Sequence, residues 1–274
     1  MKAIFFDIDG TLIDFDGTIP ASALDALRKA QAKGHAIFLS SGRCKSMIDR
    51  RLLDFGFDGM IASSGAYVEY HDEVISAEFM KPEVLRGLIE YLEAHKTVYM
   101  FQCTDKIVAS AEGNRAFAAN LQDGDASEEA IEALLGKRVN DEDLLHHLDA
   151  YPNIEKACYQ LADVGVDQVR QDLAPTFDIT AMSFQDAPDT SGEITLSGIN
   201  KAYGIQKVMD HLGITIDDVI AFGDGPNDYE MIEFAGTGVA MGNASEELKE
   251  LADVITDTVS NDGVYKAMEQ LQLI

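Results

Sequence analysis

Residues 3–6, Ala-Ile-Phe-Phe, form a short and wholly apolar run that ends at once in Asp7-Ile8-Asp9-Gly10-Thr11. A strand turns successive side chains to opposite faces, so carboxylates at i and i+2 point the same way. Two acids aimed together repel each other and resist desolvation, and a packed core gains nothing from them. A metal ion would use such a pair, as would a reaction that needs a nucleophile beside a proton carrier. The run also constrains the fold. With no polar alternation, it suits a parallel strand buried on both faces.

Runs of the same kind recur at residues 36–39, 219–222, 238–241 and 254–255. Helical patterns lie beside them. Residues 22–33 carry Leu24 and Leu27 with basic residues near the end, and Gly34 fits a C-cap. Residues 202–212 carry Ile205, Val208, Met209 and Leu212 at the 3.6 period before Gly213. Strand–helix alternation at both ends of the chain predicts an α/β fold, a Rossmann-like doubly wound parallel sheet. The middle differs. Residues 67–70 and 73–76 flank His71-Asp72 as a hairpin. Helices are expected over 81–94, 114–120 and 127–135, and more alternating strands over 98–101, 107–109, 157–161 and 177–180. This α+β stretch predicts an inserted domain at 82–189, with the α/β core formed by 1–81 and 190–274 and its pattern resuming near Ile194.

The totals narrow the function. The chain has 274 residues with 46% apolar and 25% charged content, in the range of globular proteins. Its 48 acids against 21 bases give a net charge of −27. That field repels nucleic acid and anionic membrane, so neither is an expected partner. It also repels an anionic small substrate, whose site must then be built locally from metal, lysine, arginine or backbone N–H groups. Cys44, Cys103 and Cys158 show no CxxC pairing, which argues for a reducing compartment. Cys44 reads as an inert residue in the first turn of a helix. No apolar run reaches membrane-spanning length, and the first strand begins too early for a signal peptide, so a cytoplasmic location is expected. Oligomeric state is not readable from the sequence.

Four polar clusters fall where the regular elements begin or end: Asp7–Thr11, Ser40-Ser41-Gly42-Arg43, Asn200-Lys201, and Gly223-Asp224-Gly225-Pro226-Asn227-Asp228. In open α/β sheets, ligands bind outside the carboxyl ends of the strands. Asp7, Asp9, Asp224 and Asp228 are hard oxygen donors with no Cys or His among them, which favours Mg²⁺ over zinc. Ser41-Gly42 and an adjacent helix N-terminus offer donors to an anion. Lys201 adds positive charge and Asn227 an amide N–H. Gathered at one point, these groups describe phosphoryl transfer. A carboxylate attacking a phosphate meets about 4 kcal/mol of repulsion per like-charge pair at 4 Å, for an effective dielectric near 20. Mg²⁺ and Lys201 would offset it.

Other readings exist for the pieces. Asp7–Thr11 departs from the calcium-loop pattern, since Thr11 and Leu12 stand where that pattern needs an acid or Asn and then Gly. Asp14-Phe15-Asp16-Gly17-Thr18 repeats the DxDGT spelling but lacks a strand before it, and reads as a loop covering the site. The acid run Asp141-Glu142-Asp143 reads as the start of a helix bearing His146 and His147.

Together the four clusters resemble the motifs of the haloacid dehalogenase superfamily of phosphohydrolases, in the same order. The size of the insertion resembles its Cof-type branch, as do Gly238-Val239-Ala240-Met241-Gly242-Asn243-Ala244 and Asn261-Asp262-Gly263-Val264. The resemblance implies that Asp7 is the nucleophile and forms an aspartyl-phosphate. Asp9 would protonate the leaving alcohol and then activate water. Mg²⁺ would be held by Asp7, the backbone carbonyl of Asp9 and Asp224, with Asp228 nearby. Ser41, Gly42, Arg43, Lys201 and Asn227 would bind the phosphoryl group. The inserted domain would be an α+β cap that selects the substrate. The implied activity is hydrolysis of a small organic phosphate ester, with a sugar phosphate as the expected class. A phosphotransferase or mutase using the same intermediate, and a non-catalytic phosphometabolite sensor, are the alternatives. The chain departs from the branch in two places: Asn200 stands where Ser is usual before the lysine, and Ser64-Gly65-Ala66 where Asn-Gly-Ala is frequent.

Overall fold

The computed structural model describes residues 1–119, 136–160, 163–182 and 189–274. The helix expected over 127–135 lies outside them, as do the ends of those expected segments that reach 120 and 161. The described residues divide into two compact units. One comprises Met1–Gly42, Gly56–Ser76 and Asn200–Ile274, the other Arg43–Phe55 and Ala77–Ile199.

The first unit is built on β1 (Ala3–Phe6), β2 (Ala36–Ser40), β3 (Gly59–Ala62), β4 (Tyr67–Tyr70), β5 (Glu73–Ala77), β12 (Val219–Gly223), β13 (Thr237–Ala240) and β14 (Val254–Ile255). They form one sheet in the order β14-β13-β12-β1-β2-β3-β4-β5. From β14 to β3 every pairing is parallel, and β4 joins antiparallel to β3. Phe5 stacks on Phe38 at 4.8 Å and its neighbour Phe6 stacks on Phe222 at 4.7 Å. Because consecutive side chains face opposite ways, both faces of β1 are packed, and that is why the run carries no polar residue. Helix Lys201–Leu212 buries Ile205, Val208 and Met209 against Phe5, Phe38 and Ala221. Gly213 closes it in the left-handed conformation. His71 and Asp72 both have positive φ, the geometry of a tight two-residue hairpin, and connect β4 to β5.

The second unit holds β6 (Val98–Cys103), β7 (Ile107–Ala109), β8 (Arg138–Asn140), β9 (Ile154–Gln160), β10 (Phe177–Ala181) and β11 (Gly192–Leu196), ordered β10-β11-β9-β6-β7-β8. All pairings are antiparallel except β7 with β8. Helices Pro82–Ala94 and Val166–Leu173 pack Leu85, Leu88, Ile89 and Val169 against Phe101, Ala157, Tyr159 and Ile194.

Two expectations are corrected. Ile194 does not resume the α/β pattern. It lies in β11, antiparallel to both β9 and β10. Its neighbours Glu193 and Thr195 alternate with it, as an antiparallel strand with one apolar face requires. The acid run at 141–143 starts no α-helix. It is followed by two single turns, Leu144–His146 and Leu148–Ala150. Asp141 accepts bonds from the Asp143 N–H, His147 and Tyr151, and Asp143 pairs with His146. Side-chain bonds of this kind offer the backbone an alternative to a helix.

Candidate active site

The chain leaves β1 for β2 on one side and returns to β12 on the other, so β1 and β12 flank the switch point of the sheet. Ligands of such sheets bind in the crevice there. Asp7 follows β1, and its N–H donates to the Phe222 carbonyl at 2.9 Å. Asp224 follows β12. Asp7 and Asp9 are therefore not paired by strand alternation, because the strand stops at Phe6. Asp7 is buried and Asp9 exposed, in a turn whose backbone bridges Asp9 to Ile13.

Lys201 is the first residue of its helix. Asn200 caps that helix by accepting the Tyr203 N–H at 2.9 Å, so the substitution of Asn for Ser exchanges one good cap for another. The Lys201 side chain is 0% exposed. Its Nζ lies 2.5 Å from Asp7 Oδ1 and 2.5 Å from Asp228 Oδ1. Asp228 is bonded through both carboxylate oxygens. Its Oδ2 accepts the N–H groups of Asp224 at 3.0 Å and Gly225 at 2.9 Å, which folds the loop after β12 back on itself.

Carboxylate oxygens of Asp7, Asp224 and Asp228 lie within 4.8 Å of one another. Burial, and next the charge of Asp228, holds the Asp7 carboxyl well above the usual range, with Lys201 pulling the other way. Burial also pushes Asp224 up to about 7, again with Asp228 adding and the bond from Thr11 opposing. The charge of Asp9 adds to the push on both. Burial alone would lower the proton affinity of Lys201. Asp228 and Asp7 outweigh it and raise its proton affinity instead. Three carboxylates thus face one ammonium, and with all three ionised two negative charges would stand uncompensated. An all-oxygen donor set with that deficit fits a hard divalent cation.

Thr11 belongs to this constellation although its site role was not singled out from the sequence. Its buried hydroxyl donates to Asp224 Oδ1 at 3.1 Å. The DxDGT spelling was the available signal, since the residue after the tight glycine turn faces back toward the acids.

The second cluster is built differently from expectation. Ser41 is buried and follows β2, and its N–H donates to the Ile61 carbonyl at 2.8 Å. No regular helix starts beside Ser41-Gly42. The next one, Arg50–Leu53, has four residues and belongs to the other unit. Arg43 also falls in that unit, and its Nη1 donates to the Met47 carbonyl at 3.1 Å. Cys44 precedes a single turn rather than a helix. It is buried, its thiol is pushed up to about 11, and it lies 3.3 Å from Ser46 Oγ. Asn227 is half-buried in the turn Pro226–Asp228. The repeated spelling at 14–18 forms an exposed turn bonded to itself: Asp14 Oδ1 accepts the Phe15 N–H and Asp16 Oδ1 the Thr18 N–H, both at 2.8 Å.

The chain matches the haloacid dehalogenase-like hydrolase family over residues 4–268. It is 33% identical over 275 residues to YkrA of Bacillus subtilis, a protein named as a candidate phosphatase, covering 100% of this chain and 98% of that one. It is 27% identical over 274 residues to YcsE of the same organism, named a 5-amino-6-(5-phospho-D-ribitylamino)uracil phosphatase, covering 98% of this chain and 94% of the relative. Among solved structures it is similar to the haloacid dehalogenase subclass IIB sugar phosphatase BT4131, with a TM-score of 0.79, 27% identity and full coverage of both chains. Among the described residues, no helix is long and apolar enough to cross a membrane.

Proposed function

From the premise that this chain belongs to the haloacid dehalogenase-like hydrolase family and is a phosphoric monoester hydrolase, we propose that it hydrolyses a small sugar phosphate in two steps, with Asp7 as nucleophile and Mg²⁺ as cofactor. The observation that carries this reading is the buried Asp7 carboxylate bonded to Lys201 within the Asp7–Asp224–Asp228 group. Asp7 attacks phosphorus and the ester oxygen departs with a proton from Asp9. A water then gives a proton to Asp9 and attacks the aspartyl-phosphate, freeing phosphate and Asp7. Asp9 suits proton exchange because it is exposed at the rim, where alcohol and water come and go.

Lys201, the Ser41 hydroxyl, Gly42 and Asn227 bind the phosphoryl oxygens. Asp7, Asp224 and the Asp9 carbonyl would hold the Mg²⁺, and Asp228 fixes the lysine and the loop. When bound, Mg²⁺ neutralises charge that would otherwise repel the attacking carboxylate. The sugar phosphate class rests on the likeness to a sugar phosphatase, and the choice among sugars is assigned to the unit containing Ala77–Ile199. A cytoplasmic location accords with phosphorylated sugars as substrates.

Phosphate release from a panel of phosphorylated sugars and other metabolites, with Mg²⁺ and with EDTA, tests the reading. Turnover of a sugar phosphate that EDTA abolishes and Mg²⁺ restores is expected. Full turnover in EDTA would contradict the metal role. Transfer to an added alcohol in place of phosphate release would convert the reading to a phosphotransferase.

A further inference from the structure

After β13 the chain runs through Met241-Gly242-Asn243-Ala244, pinned by Met241 N–H on the Gly223 carbonyl at 3.0 Å and Gly242 N–H on the Asp257 carbonyl at 3.1 Å. Asn243 Oδ1 accepts the Val259 N–H at 3.4 Å. A backbone N–H can only donate, so the oxygen of the amide must face Val259 and the NH₂ must face away. On that side Nδ2 donates to the Gly10 carbonyl at 2.8 Å and to Asp224 Oδ2 at 3.2 Å. The other oxygen of Asp224 takes the Thr11 hydroxyl at 3.1 Å. The carboxylate is therefore gripped on both oxygens by neutral donors that come from other segments. Neutral donors fix its orientation without cancelling its charge, whereas a lysine or arginine there would compete with a cation.

We propose that Asn243 is a positioning residue that aims the Asp224 carboxylate and locks it to the Gly10 turn, and thereby sets the affinity of the site for a divalent cation. This rests on the metal-site reading given above. It assigns Asn243 a task distinct from stapling its own loop, because a staple alone would change stability and leave cation affinity untouched. Partners that orient a metal ligand are commonly worth about 10–100-fold in affinity.

The test uses Asn243→Ala and Asn243→Leu, the latter close in shape but without donors. Mg²⁺ is titrated calorimetrically into metal-free protein whose fold is checked by circular dichroism. Each variant should bind Mg²⁺ about 10–100-fold more weakly than the parent, and kcat at saturating Mg²⁺ should fall by less than the affinity does. Unchanged affinity in a folded variant overturns the proposal. A parent that binds no Mg²⁺ overturns the metal reading itself, which is a separate result. Side-chain amide exchange of Asn243 in the unmodified protein, read by NMR, needs no variant. Exchange slowed relative to exposed asparagines is expected, and exchange as fast as theirs overturns the proposal.

Discussion

The pivotal side chain is Lys201, a fully buried ammonium between two carboxylates. Its charge costs desolvation, and the carboxylates of Asp7 and Asp228 beside it offset that cost. Lys201→Met leaves both acids buried without a counter-charge. In metal-free protein this should cost about 3–5 kcal/mol of stability, the usual penalty for breaking a buried pair. Loss of a cation at the phosphoryl site should also lower kcat by about 10²–10³-fold. Denaturant midpoints and steady-state rates measure the two separately. A loss of stability with an intact rate would make the lysine structural. That Asp7, Asp224, Asp228 and Lys201 gather at one point was legible from their placement where the regular elements begin or end. The burial of Lys201, its grip on Asp228 and the part of Thr11 were not, because they depend on how distant loops meet.

At the scale of elements, the acid–lysine cluster is assembled from the turns that follow β1 and β12 and from one helix start. Gly10 shows how tightly they meet. It has φ +83°, and a Cβ there would lie 2.0 Å from Asp224 Oδ2. Gly10→Ala should cost about 1–2 kcal/mol for the left-handed backbone. It should also dislodge Asp224, so activity should not return with excess Mg²⁺. An alanine variant active at the parent level would show that the two loops are less closely packed than described. The strands that carry the site were readable because unbroken apolar runs are distinctive: Phe5 and Phe6 pack on opposite faces, and each needs an aromatic partner. β11 was not readable as part of the second sheet. Its register with β9 and β10 is a long-range fact, and one isoleucine between Glu193 and Thr195 carries little pattern. The helix expected after Gly42 failed for a similar reason. The Ser41 N–H is taken by the neighbouring strand, and no local signal announces that.

At the scale of the whole molecule, the net charge of −27 and the buried acid cluster act in the same direction. Burial and Asp228 push Asp224 up to about 7 from the ordinary carboxylate value of 3.8. Between those values the folded chain keeps a proton that the unfolded chain has lost. The folded state binds more protons there, so this group makes stability fall as pH rises across the window. Metal-free protein should therefore melt at a higher temperature near pH 5 than above pH 7. Asp224→Asn should flatten that slope and Mg²⁺ should largely remove it, because a cation takes the place of the proton. A slope unchanged by both would place the titration elsewhere. The second unit runs through Ala77–Ile199, past the insertion expected at 82–189 on both sides. The grouping of residues 43–55 with the second unit was not legible in the sequence, since it depends on packing around Cys44 and Met47.

The central claim is that Asp7 itself receives the phosphoryl group. Mixing the protein with a sugar phosphate and Mg²⁺, trapping with borohydride and mapping the product by mass spectrometry tests this most directly, because reduction converts an aspartyl-phosphate to homoserine. Homoserine at position 7, with no change at Asp14 or Asp224, is the expected result. Homoserine at another aspartate, or turnover with no trapped residue at all, would contradict it.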